Sequence, residues 1–175
     1  MSPISAIIFS GFGGLWLVAA IFAQRSPTPS LCVVPIVIAA VLAGWSVSVA
    51  RKQTPLAPNV RKRLNKIVMY ASTFEGVAIF VGVNVLDNLG MAQQILPLVA
   101  VVVGLHFLPF ARFLPDRRYY PIALSLMTIG FVGAIIRSSD LRAWFVGASC
   151  ALVLWTASII AIRAPNRANL SASLS

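Results

Sequence analysis

Six long apolar stretches divide the chain: Ile4 to Ala23, Leu31 to Ala50, Ile67 to Leu86, Met91 to Ala111, Tyr120 to Ile136 and Ala143 to Ile162. At 1.5 Å per residue each reaches across the roughly 30 Å of a hydrocarbon layer as a helix, the fifth being the shortest. The pattern predicts an all-α, polytopic membrane protein, a bundle of six transmembrane helices forming one domain over residues 1–163. The polar, small-residue segment from Ala164 to Ser175 is expected to be a disordered tail.

The polar interruptions place the turns. Asp87-Asn88-Leu89-Gly90 joins the third and fourth runs into an antiparallel hairpin. The long connection from Arg51 to Lys66 contains Pro55 and Pro58, which make it a semi-rigid strap, and Asn59 is placed to cap a third helix that starts before the hydrocarbon does. Gly11, Gly13 and Gly14 in the first run, and Ala40, Gly44 and Ser48 in the second, mark faces for close helix packing. Pro97 and Pro109 bracket His106 in the fourth run, where a kink either opens local room or ends the span.

Charge then orients the threading. Of 14 lysines and arginines, six fall between Arg51 and Lys66, three between Arg112 and Tyr119, and two after the last run, whereas the opposite loops hold Arg25, Arg137 and Arg142. By the positive-inside rule both termini are cytoplasmic. Composition agrees: 59% of residues are hydrophobic and 10% charged. A net charge of +10 would suggest nucleic acid in a soluble chain, but here the basic residues sit at helix ends, so the expected partners are membrane lipids and no nucleic acid. Arg61, Lys62 and Arg63 are the expected lipid-binding cluster, each contributing about 1 kcal/mol near an anionic surface. The first run has no basic residue before it and is read as a retained span rather than a cleaved signal. The expected location is a cell membrane, of the bacterial inner-membrane type. Cys32 and Cys150 form neither a disulfide framework nor a metal set and read as small buried hydrophobes.

Candidate chemistry rests on two residues. Glu75 and His106 are the acid and the histidine that fall inside apolar runs. An ionisable group at bilayer depth costs a few kcal/mol, which favours an inward face and a partner. In the hairpin, Glu75 lies opposite Val102, and His106 is one turn further towards the same end. Ser72 shares the Glu75 face; Ser125 and Thr128 share a face of the fifth helix; Arg112, about 9 Å beyond His106 along the helix, would stand at an entrance. These residues form the expected substrate-binding set. Ser10, Ser46, Thr156 and Ser158 join them within about 15 Å of one end, a layer that suggests a recess open to the cytoplasm. The competing reading is that these hydroxyls bond their own helix backbone.

Three functions follow. The first is small-solute binding or transport, with Glu75 taking a proton or the cationic group of a small, lipophilic ligand and His106 tuning it. The second is an intramembrane enzyme using Glu75 and His106 as catalytic acid and base on a lipid-soluble substrate. The third is a structural or accessory subunit in which the two form a polar clamp. One glutamate and one histidine are too few for a metal site of the usual composition, and no phosphate loop or nucleophile elbow is present, so neither metal nor cofactor is expected.

Overall fold

Each of the six apolar runs folds as an α-helix in the computed structural model, which describes residues 3–24, 26–51, 58–113 and 117–163. The helices are α1 (Pro3–Phe22), α2 (Val33–Ala50), α3 (Pro58–Asn88), α4 (Ile95–Phe113), α5 (Tyr119–Ile135) and α6 (Ser139–Arg163). Five are long and apolar enough to cross a membrane, counting with α2 and α4 the 3-10 turns Pro29–Cys32 and Ala92–Gln94 that lead into them. The 17 residues of α5 reach about 25 Å, the short end of what a membrane requires. The expected tail 164–175, residues 52–57 of the strap, Arg25 and Asp116 lie outside the described residues, as do the side chains of Arg61 and Arg63 in the basic cluster, while residues 58–66 of the expected strap are helical and belong to α3. Lys62 is described and exposed.

Several helix ends differ from the apolar boundaries because capping, not hydropathy, sets them. α3 begins at Pro58, whose fixed φ suits a first helical position, so Asn59 lies inside the first turn rather than at a cap. Its other end closes as a Schellman motif: the Met91 N–H donates to Leu86 O (2.8 Å) and the Gly90 N–H to Asp87 O (2.9 Å). That geometry requires a left-handed residue, and Gly90 supplies φ +68° without a Cβ penalty. α6 starts at Ser139, four residues before its apolar run, because the Ser138 hydroxyl accepts from the Leu141 N–H at 3.4 Å. In α4, Pro97 occupies the first turn, where a missing N–H costs nothing. Pro109 lies inside the helix, which continues to Phe113, so it does not end the span.

Across the bundle the helices follow the order α2, α1, α6, α5, α4, α3, each packing mainly on its neighbours in that series. The core is built from Phe9 and Trp16 of α1, Phe107 and Phe110 of α4, Tyr119 and Leu126 of α5 and Cys150 and Leu154 of α6. Polar ties reinforce the α1–α6 seam: the Trp155 indole N–H donates to Ser10 O at 3.2 Å and the Ser158 hydroxyl to Ala6 O at 2.9 Å. At the α4–α5 seam Gly104 and Gly130 let the backbones approach; a Cβ on Gly104 would stand 2.8 Å from Ala123 O, and one on Gly130 2.7 Å from Pro97 O. The outer helices differ from this core. Only 6% of the α3 span and 17% of the α2 span are buried, against 44% of α1 and α4 and 50% of α6. Their exposed Val, Ile and Phe side chains suit a lipid solvent.

Candidate functional site

Glu75 and His106 meet. The Schellman turn sets α3 antiparallel to α4, and across that seam His106 Nδ1 lies 3.0 Å from Glu75 Oε2. No hydrogen bond forms at Nδ1, so the contact is a close approach of carboxyl and imidazole rather than a linear hydrogen bond. His106 keeps 11% of its side chain exposed and Glu75 18%, which leaves the carboxylate within reach of a small molecule from the seam.

The two partners are held differently. The imidazole packs edge-on to Phe107 (centroids 5.4 Å, planes at 90°) and against Phe110 (5.0 Å). Those rings join a wider cluster with Phe9 and Tyr119, in which Phe9 stands edge-on to Phe107 at 5.7 Å and Tyr119 stacks on Phe107 at 6.3 Å. The Tyr119 hydroxyl in turn lies 3.3 Å from the Ser5 hydroxyl. His106 is thus fixed to α1 and α5 through aromatic contacts, each adding about 0.5–1.5 kcal/mol beyond burial. Glu75 rides on α3, whose close packing is with α4 and the 3-10 turn leading into it. A rigid imidazole therefore faces a carboxylate on the least anchored helix.

The remaining expected site residues do not assemble around this pair. Ser72, Thr128 and Arg112 are exposed and Ser125 is half-buried, and among the described residues none hydrogen-bonds to Glu75 or His106. Three hydroxyls of the polar layer serve the backbone: Ser10 donates to Ile7 O (2.8 Å), Ser46 to Leu42 O (2.7 Å) and Ser158 across the seam to Ala6 O (2.9 Å). Asn84, nine residues from Glu75, likewise donates to Phe80 O and takes no part in the pair. Cys150 is fully buried, as a small hydrophobe should be, whereas Cys32, in the turn leading into α2, is only half-buried.

Two hollows lie at the end of the bundle opposite Glu75. One, of about 510 Å³, is lined by Gln93, Arg137, Ser138, Ser139, Asp140 and Arg142. The other, of about 280 Å³, shares Gln93, Ser139 and Arg142 with it and adds Ala23, Ala92, Leu96 and Ala143. Between them sits the residue that charge counting misplaced. Arg142 is a loop charge by sequence, yet only 5% of it is exposed, and it donates from Nε to Gly133 O (3.3 Å), from Nη1 to Gln93 O (3.2 Å) and from Nη2 to Ile136 O. It fastens α6 to the end of α5 and the start of α4. The signal that could have found it is Ser138, whose capping role moves the helix start upstream and carries Arg142 inward.

Known proteins add no further assignment to this geometry: no family model, no curated protein and no solved structure matches the chain.

Proposed function

We propose that this membrane protein binds a small cationic or proton-donating solute at Glu75, in the seam between α3 and α4, and that such binding serves transport. The observation supporting this is the carboxylate–imidazole approach of 3.0 Å between two apolar helices, with both groups partly exposed. A buried charge in lipid is retained where it has a partner, and one that also keeps an open side can exchange that partner for a ligand. α3 packs on the bundle mainly along its seam with α4 and contributes Ala71 as its buried core residue, so a small shift of the carboxylate away from the imidazole asks less of the fold here than on the inner helices.

The test uses tetraphenylphosphonium as a lipophilic cation with the purified protein in detergent. Saturable binding is expected, weakened about ten-fold or more by Glu75→Gln, which removes the negative charge facing the cation; ten-fold corresponds to about 1.4 kcal/mol. Proteoliposomes should then show cation-coupled proton movement that Glu75→Gln abolishes. Absence of saturable binding would sink the reading.

The light packing of α3 favours a second one, in which the pair is an assembly clamp. Glu75→Gln would then lower the unfolding midpoint and expose α3 to protease. The binding reading instead predicts a variant of near-normal stability that has lost the ligand.

A further inference from the structure

The geometry points to a second binding site, at the end of the bundle opposite Glu75: an anion site for a phosphate-bearing head group, built on Arg142 and Arg137 with an apolar side. It is independent of the reading given for the Glu75 pair.

The first reason is the state of Arg142. A guanidinium carries five N–H donors, and the three hydrogen bonds to Gly133, Gln93 and Ile136 carbonyls use one from each nitrogen. Two N–H groups remain for another acceptor. Carbonyls satisfy donors but neutralise no net charge, and burying a charge is costly unless an opposite charge accompanies it. At 5% exposure Arg142 is therefore a buried cation held in place by neutral groups.

The second reason is the space next to it. Arg142 lines both hollows, so the same side chain borders the polar one of about 510 Å³ and the smaller one of about 280 Å³. Arg137, exposed at the rim, adds a second guanidinium, and Ser138, Ser139 and Gln93 add polar groups. Asp140 is also in the lining, but it is engaged in an interaction of its own, and two arginines leave the hollow net positive. Beside Arg142 the smaller hollow is lined by Ala23, Ala92, Leu96 and Ala143. The two guanidinium groups suit the bidentate recognition of phosphate oxygens, and this apolar side suits the start of an acyl chain. The shared chemistry is a phosphate anion, whether carried by a lipid or free.

Purified protein in maltoside detergent is titrated with dioctanoyl phosphatidylglycerol, dioctanoyl phosphatidylcholine and inorganic phosphate, with binding read by thermophoresis. The phosphatidylglycerol curve is expected to saturate, with phosphatidylcholine binding at least ten-fold more weakly because its head group carries no net charge. Arg137→Gln, an exposed change that leaves the helix clamp intact, is expected to weaken phosphatidylglycerol about ten-fold. Arg142→Lys keeps the charge but loses the fork and is expected to weaken it at least as much. Inorganic phosphate that displaces the lipid supports a site reading the phosphate alone; phosphate that fails to displace it supports a lipid site. Equal binding of the two lipids, or a phosphatidylglycerol curve unmoved by Arg137→Gln, would overturn the proposal, and that variant decides the matter even where Arg142→Lys does not fold.

Discussion

Arg142→Leu is expected to lower the unfolding midpoint in detergent. The replacement removes three donors and leaves the carbonyls of Gly133, Gln93 and Ile136 without them where α4, α5 and α6 converge. Gly133 O keeps the Ile136 N–H at 3.2 Å and Gln93 is exposed to water, so the unmet-acceptor cost falls on part of the set and a net loss of about 1–3 kcal/mol is expected. Circular dichroism melts would measure it. Arg137→Leu, five residues away and exposed, is the control and should stay within about 0.5 kcal/mol of the parent. Equal melts for the two variants would mean that the Arg142 bonds contribute nothing to stability.

The second large effect is expected at Gly104. A Cβ there would stand 2.6 Å from Met127 Cγ, 2.8 Å from Ala123 O and 2.9 Å from Met127 N. The methionine side chain can yield, but two of the three obstacles are main chain, so Gly104→Ala must push α4 and α5 apart. Overpacking of this kind costs about 1–3 kcal/mol. Gly130→Ala, which meets Pro97 O at 2.7 Å and Val101 N at 3.0 Å, approaches the same seam from the other helix and should behave alike. Gly44→Ala is the contrast, because nothing lies within 4 Å of its added methyl; it is expected to be neutral or slightly stabilising through helix propensity. His106 is two residues from Gly104 on the same helix, so Gly104→Ala should also weaken cation binding while Gly44→Ala leaves it unchanged. A Gly104→Ala melt matching the parent would show that the seam has slack.

The sequence carried the helices and the central pair because each depends on local or short-range signals. Apolar runs define helices wherever lipid is the solvent, and Asp87-Asn88-Leu89-Gly90 holds the chemistry of a helix stop with its left-handed glycine. Once that hairpin is fixed, the approach of Glu75 and His106 follows from counting residues on two antiparallel helices. What the sequence hid is lateral order. No spacing tells that α3 sits at the rim while α6 is the most buried helix, so Ser72 by its face, Arg112 by its distance along the helix and Thr128 by its depth group with Glu75 in the sequence, although all three are exposed and none hydrogen-bonds the pair. Serine depth was equally uninformative, because Ser10 and Ser46 satisfy themselves on carbonyls three or four residues back. Arg142 was hidden for a related reason: its role depends on carbonyls from two other helix ends, and a tally of basic residues per loop treats it as solvated.

The pairing of α1 with α6 bears on how the chain is made. The seam holding Ser158 to Ala6 and Trp155 to Ser10 joins segments separated by about 150 positions. At ribosomal speeds of roughly 5–20 residues per second, α1 waits on the order of ten seconds before its main companion is synthesised. Through that interval Gly13 and the Trp16 face must be shielded by lipid, by α2 or by an insertion chaperone, which makes premature release during translation the stage at which this architecture is most vulnerable.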